Sequence, residues 1–370
     1  MPAPIRLVVF FSRGMSLAGW QRAGMFEREL ALYRHLQPHC DRITFFTYGD
    51  NHEHELAKAL PGLVVLPNRW RLPANLYSVV GPWFHRRALA EATVFKTNQL
   101  NGAWAAVVAK RYSRAKLIAR GGFLWSDFVE RLHPHSWRMA IAWKLERWVY
   151  QSADVAVATA EADGARIARR YHLDDSRVRV IPNFVDTAVF RPMPEITRES
   201  GRLLFVGRLD AQKNVTALLE ALETLPDVTL DLVGDGPLAA PLRALAERLR
   251  LRVNFLGTRP HVELPALFAR ASAFVLPSHY EGHPKALLEA MACGTPVVGA
   301  DAPGIREIIT HKVNGVLCGT SAQEIHSELA ALLGDAPLRA AISAGGVDYV
   351  RRTCSLDAVA ALELQLLQSL

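Results

Sequence analysis

Short apolar runs rich in β-branched residues alternate along this chain with longer stretches whose apolar positions recur every three to four residues. In the first half the short runs lie at 5–11, 43–48, 63–66, 93–96, 116–119, 154–158 and 178–181. Runs of that length bounded by turn residues predict strands buried on both faces. Between several of them, 21–36, 100–112, 136–152 and 161–171 carry the amphipathic period of a helix. The second half repeats the scheme, with strands predicted at 203–206, 229–233, 253–256, 273–276, 296–299 and 315–318. Helices are predicted there at 215–225, 238–249, 264–270, 286–292 and 322–333. Such alternation implies parallel sheets covered by helices on both faces, and it occurs twice. The stretch 184–201, with Pro182 just ahead of it and Pro192 and Pro194 inside, reads as the boundary between two α/β, Rossmann-like, doubly wound domains.

Doubly wound sheets bind ligands beyond the carboxyl ends of their strands, so the residues after each predicted strand matter most. They include Ser12-Arg13-Gly14, Thr97-Asn98-Gln99, Arg120-Gly121-Gly122, Pro182-Asn183, Gly207-Arg208, Gly257-Thr258-Arg259 and Pro277-Ser278. Turn chemistry alone explains any one of these. It explains the charged ones less well.

The segment 277–298, PSHYEGHPKALLEAMACGTPVV, is the most informative. A strand ends at Pro277, a loop carries Glu281 and Gly282, and a helix begins near Lys285. Gly282 lets backbone approach a ligand closely. The N–H groups opening the helix favour an anion. Glu281 sits beside that anion position, where it can grip sugar hydroxyls. Glu289, about a turn into the helix among Leu287, Leu288, Ala290 and Met291, suits a ribose diol. In 203–214, LLFVGRLDAQKN, the strand ends at Gly207 and is followed by Arg208 and Lys213, two cations that fit a diphosphate.

GRLDAQKN followed by EGHPKALLEAMACGTPVVGADAPGIREII and NGVLC resembles the fourth family of glycosyltransferases, retaining enzymes with the GT-B fold; VIPNFVD (180–186) and VGDGP (233–237) agree with it. The resemblance is strong over 175–320 and weaker before. It implies two Rossmann-like domains facing across a cleft that closes on the donor. It also implies residues 1–185 as the acceptor-side domain, 186–352 as the nucleotide-sugar domain, and a terminal helix, 353–370, crossing back to the first domain. By position, Arg208 and Lys213 would hold the diphosphate and Glu289 the ribose. Glu281 would meet the donor sugar. The backbone of Gly282, His283, Pro284 and Lys285, with Gly207, would contact sugar and phosphate, and Thr258 and Arg259 would lie near the base. The family's glycine pair after the first strand is missing; Gly24, with Gly19 behind it, is the preferred match. The family histidine after a later strand is replaced by Arg120-Gly121-Gly122, which with Asn98 and Gln99 are acceptor-side candidates. His133 and His135 follow in the same region.

Chemistry and composition narrow this further. Cleaving a glycosyl–phosphate bond leaves negative charge on the diphosphate, which must be stabilised. No Asp-x-Asp motif is present, so Arg208, Lys213 and the helix N-terminus are expected to do that work without metal. No cofactor is expected; the donor, a UDP- or GDP-linked sugar, is a substrate. The four cysteines form no C-x-x-C pair, which argues against zinc or a disulfide framework. No apolar run reaches the roughly 20 residues of a spanning helix, and the chain is expected to be cytoplasmic. Residues 1–185 hold 26 Lys+Arg against 15 Asp+Glu, a net of +11, whereas 186–370 hold 17 against 21, a net of −4. No nucleic-acid motif accompanies the basic half. Within it, 69–87 (RWRLPANLYSVVGPWFHRR) sets aromatic and aliphatic residues between two basic ends, as expected of peripheral contact with an anionic membrane at its inner face. The same residues would equally pack beneath a long loop. The expected acceptor is a glycan or lipid-linked glycan of the cell envelope, in lipopolysaccharide or exopolysaccharide synthesis. A sugar-nucleotide epimerase and a non-catalytic nucleotide-binding protein are the alternatives, the first separable by epimerisation of donor without acceptor, the second by donor binding without turnover across an acceptor panel.

Overall fold

The computed structural model describes residues 4–58, 60–122, 124, 126, 129–130, 136–225 and 227–370; His133 and His135 lie outside them. The chain divides into two compact units, Met1–Pro182 with Val359–Leu370, and Asn183–Ala358. The crossing expected after residue 185 thus falls after Pro182, and the return expected at 353 falls inside the last helix, Leu356–Gln368. The reason is backbone pairing. Val185 donates to Cys354 O at 2.8 Å, and Leu356 donates to Val185 O at 2.9 Å, which ties both passages of the chain into the second unit.

In the first unit the strands are β1 (Arg6–Phe10), β2 (Arg42–Phe46), β3 (Leu63–Leu66), β4 (Val94–Thr97), β5 (Lys116–Arg120), β6 (Val155–Ala158) and β7 (Val178–Val180). They form one parallel sheet in the order β3-β2-β1-β4-β5-β6-β7. Phe10 packs against Phe46 and Phe95, on β2 and β4, at ring centroid distances of 5.1 and 5.3 Å. In the second unit β8 (Glu199–Val206), β9 (Thr229–Val233), β10 (Val253–Gly257), β11 (Ala271–Leu276), β12 (Val297–Ala300) and β13 (Val316–Cys318) are also parallel, in the order β10-β9-β8-β11-β12-β13. Every residue of β11 and β12 is buried, as continuous apolar runs require in a sheet covered on both faces. Each sheet reverses its strand order once, between β1 and β4 and between β8 and β11. Those two points are where such folds open a crevice for ligands.

Local departures from the expected elements have local causes. The single helix predicted at 21–36 is two helices, Leu17–Arg22 and Phe26–Leu36, separated at Gly24 with φ +65°. The stretch 69–87 contains a helix, Ala74–Phe84, with Pro82 inside it. The helix Ala336–Thr353, outside the predicted elements, carries Gly345 and Gly346 in its middle, which lower helix propensity by about 1 kcal/mol each. Packing requires them: a Cβ on Gly345 would lie 2.1 Å from Val313 O, and one on Gly346 3.3 Å from Met291.

Candidate functional site

The switch point of the second sheet gathers the two most informative sequence segments. After β8 the chain passes Gly207 and reaches a short 3-10 turn, Ala211–Lys213. That turn is closed by Asn214 at φ +54°, which opens the helix Val215–Leu222. After β11 the loop 277–284 leads to the helix Lys285–Ala292. The two loops are tied directly. His279 N donates to Gln212 O at 2.9 Å, and Gln212 Nε2 donates to Tyr280 O at 2.8 Å. Asn214 Nδ2 donates to Pro277 O at 3.2 Å. Lys213 is thereby carried to Glu281, and Nζ meets Oε1 at 2.5 Å with both side chains largely buried.

Close backbone approach shapes the surroundings. Gly234, at φ +132°, lies so near the β8 turn that a Cβ there would sit 1.9 Å from Gly207 O. Gly304, at φ +79°, lies against the catalytic-candidate loop, where a Cβ would fall 2.4 Å from Glu281 O and 2.3 Å from Gly282 O. Gly304 stood in the quoted stretch GADAPGIREII without a role. Asn183 holds His283: its N–H donates to Nδ1 at 3.3 Å and its Nδ2 donates to His283 O at 2.8 Å. The N-cap residue of the Lys285–Ala292 helix is Pro284, which makes no side-chain cap, and no acidic residue lies in the first turn. Its leading N–H groups and partial positive charge can therefore serve an anion. Lys285 is half-buried, with Nζ 5.7 Å from the Phe184 ring centroid.

Glu289 follows on the same helix. It is almost fully buried beside Leu287, Leu288, Ala290 and Met291, and its Oε1 accepts from His261 Nε2 at 2.9 Å. Sequence reasoning did not single out His261. A lone histidine two residues past the Thr258-Arg259 pair carries no pattern, and only the tertiary structure brings it to the carboxylate. Arg208 is mostly exposed, its nearest carboxylate Asp210 at 3.6 Å. Thr258 and Arg259 are exposed after β10, beyond β9 from the β8–β11 switch point, and Arg259 lies 3.7 Å from Glu263. The structure therefore joins Lys213 with Glu281 and sets Glu289 a turn into the helix that follows the Glu281 loop. Arg208 and Arg259 pair locally, with Asp210 and Glu263.

The first unit distributes its candidates differently. Asn98 N donates to Phe10 O at 2.9 Å, so Asn98 and Gln99 lie at the β1–β4 switch point. Gly122 N donates to Gln99 Oε1 at 3.3 Å. Gly121 is buried, and a Cβ there would meet Tyr150 Oη at 3.0 Å. Arg120 has a structural partner instead: Nη1 donates to Glu363 Oε1 at 2.9 Å. Gly24 lies one helix beyond the end of β1, with no atom within 4 Å of where a Cβ would stand, and Gly19 lies in the first turn of that helix. Gly14, at φ +81° in the turn directly after β1, is the glycine at the strand's carboxyl end. The helix N-terminus after it is occupied internally, because buried Glu53 accepts from Leu17 N at 2.9 Å and Ala18 N at 3.1 Å.

Two family descriptions match consecutive parts of the chain, Glycosyltransferase Family 4 over residues 27–189 and Glycosyl transferases group 1 over residues 188–347. The chain belongs to the group 1 glycosyltransferases. Among relatives in this family, a D-inositol 3-phosphate glycosyltransferase of Xylanimonas cellulosilytica is 32% identical over 240 residues, 59% of this chain and 57% of that protein. A glycogen synthase of Mycobacterium tuberculosis is 33% identical over 182 residues, 47% and 44% of the two. The chain spans about half the length of the curated relatives it matches. The fold is similar to that of Anabaena HepE, solved in complex with UDP, with a TM-score of 0.80, 20% identity and coverage of 99% and 100%. The family's two-domain GT-B architecture accounts for the two parallel sheets.

Proposed function

We propose that this group 1 glycosyltransferase transfers a hexose from a UDP- or GDP-linked donor, with retention and without a metal, to a glycan or lipid-linked glycan of the cell envelope. The observation that carries the reading is the Lys213–Glu281 pair at the β8–β11 switch point, on the loop that leads into the helix Lys285–Ala292. A cation and a row of N–H groups at one point suit a diphosphate that gains charge as its glycosyl bond breaks. Lys213, with Arg208, would hold the leaving diphosphate, and Glu281 would meet the donor sugar. The acceptor would attack on the face the diphosphate leaves. Glu289 is better suited to ribose than to a glycosidase-like nucleophile, since it lies well inside an apolar helix face. Asn98, Gln99 and Gly122, gathered at the first sheet's switch point, remain the acceptor-side candidates.

An anionic membrane at the acceptor side is supported by the surface of the first unit. In the Ala74–Phe84 helix, Tyr77, Ser78, Gly81 and Pro82 face the core. Leu76, Val79 and Trp83, spaced three and four apart, are about half exposed. Trp70 packs on Phe84 with ring centroids 4.3 Å apart, so part of this stretch does pack inward. Arg86 lies over Trp83 at 4.6 Å and Arg69 over Trp70 at 4.5 Å. The helix Trp137–Ser152 adds exposed Trp137, Ile141 and Trp148, with Arg147 over Trp143 at 5.5 Å. Both helices pack against Trp104–Ala109. Indole rings and arginines together suit a lipid headgroup layer. Among the described residues no helix is long and apolar enough to cross a membrane.

The deciding experiment is turnover of UDP- and GDP-hexoses with envelope glycan acceptors in excess EDTA, with the product anomer read by NMR. The expected result is undiminished turnover, with the donor's anomeric configuration kept. Lys213→Ala should lower kcat by about 10²–10³-fold. Activity lost on chelation and restored by magnesium or manganese would overturn the metal-free reading, and an inverted product would overturn retention.

A further inference from the structure

We infer that His261 is a positioning residue that aims Glu289 at the donor's ribose, and so sets the preference for ribo- over deoxyribonucleotides. The inference rests on the donor reading above and deepens it. An ionised carboxylate among buried apolar side chains needs a hydrogen-bond donor, or it loses much of its solvation without return. Among the described residues, His261 is the donor the structure gives the Glu289 side chain, Nε2–H to Oε1 at 2.9 Å. The Glu289 side chain is only 7% exposed.

The histidine is itself held. It opens the 3-10 turn His261–Glu263 between β10 and the helix Leu264–Arg270. Its ring packs against Phe190 at 4.8 Å between centroids, and Phe190 is 1% exposed. Phe190 in turn packs on Phe268 of the following helix at 6.2 Å. A ring fixed on one side by aromatic packing and pointing its N–H at one carboxylate oxygen removes the carboxylate's freedom to rotate. The other oxygen, Oε2, is then presented in a constant direction. A vicinal diol needs that constancy, because two hydroxyls donating to one carboxylate demand a defined plane, whereas a single hydroxyl does not. His261 acts through Glu289 and not on the reacting bond, so its effect belongs to donor binding rather than to the chemical step.

The experiment measures affinities of UDP, GDP and their 2′-deoxy and 3′-deoxy analogues by calorimetry. The proteins are wild type, His261→Phe and His261→Gln, each checked for an unchanged melting transition, and donor KM and kcat are measured on the same proteins. The wild type is expected to prefer the ribonucleotide of its own base by about 10-fold or more, the weight of hydrogen bonds to a charged group. His261→Phe, which keeps the ring packing and loses the N–H, should bring that preference down to about threefold or less, raising KM more than it lowers kcat. His261→Gln, which keeps an N–H donor, should restore at least half of the preference. A His261→Phe protein that discriminates as the wild type does would overturn the positioning role while leaving the donor reading intact. Wild type that binds neither nucleotide would instead overturn the donor reading, and this inference with it.

Discussion

His85 shows how one side chain records its surroundings. Its ring lies inside the first unit, with Nε2 3.0 Å from Tyr77 Oη and 3.2 Å from Pro67 O. Burial, the larger influence, pushes its pKa down to about 4; the Pro67 carbonyl opposes the shift and Arg69 adds to it. The unfolded chain titrates this group near 6.5. Between those values the unfolded state takes up a proton that the folded state refuses, so stability falls as the pH drops from about 6.5 towards 4 and is insensitive to His85 above that range. The expected outcome is a falling urea midpoint across that window, with a shallower fall in His85→Phe. A His85 ring resonance that titrates above pH 6 in the native protein would refute the assignment. At this scale Arg120 too is held by a buried partner, Glu363.

The last helix, Leu356–Gln368, depends on buried charge. Glu363 on it is fully buried, 2.7 Å from Lys96 Nζ on β4 and 2.9 Å from Arg120 at the end of β5. Burial alone would raise the Glu363 pKa, but Lys96 and Arg120 together outweigh it and hold the carboxyl below its usual range. Lys96, 1% exposed, is pushed down by burial against the pull of Glu363. Removing one partner of such a cluster leaves a buried charge uncompensated, at a cost of about 3–5 kcal/mol. Glu363→Ala should destabilise the first unit by that order in urea unfolding, and Lys96→Met placed beside it should return a large part of the loss. Equal stability of Glu363→Ala and wild type would show that the helix is held by its apolar side chains alone. Ala336–Thr353 gives the opposite lesson, for there two glycines that weaken a helix in isolation permit its contact with Val313 and Met291.

For the molecule as a whole, the charge imbalance and the exposed rings meet on the first unit. The net of +11 over residues 1–185 includes Arg69, Arg71, Arg86 and Arg87 around the half-exposed stripe of Leu76, Val79 and Trp83. Each cation near an anionic surface contributes about 1 kcal/mol. Wild-type protein is therefore expected to sediment with anionic vesicles at low salt and to be released as salt rises. Arg86→Glu with Arg87→Glu should weaken that binding by an order of magnitude or more, and Trp83→Asp should weaken it without changing its salt dependence. Protein that stays in the supernatant with anionic vesicles at low salt would leave a soluble acceptor as the better reading.

Much of this was legible in the residue order because the signals are local. Strand period, turn residues and the spacing of Glu281, Gly282 and Glu289 all act within short stretches, and the two strand–helix series alone implied two parallel sheets. Contacts between residues far apart in the chain were decided only by the tertiary structure. His261 and Glu289, Glu53 and the helix at Leu17, and Glu363 with Lys96 and Arg120 are such pairs. None has a spacing that distinguishes it from a solvated charge. The same holds for Gly345, whose place in a helix is explained by the neighbouring Val313 carbonyl. Local sequence determines which element forms, but burial determines which charged groups find partners, because a desolvated charge without one is too costly to persist.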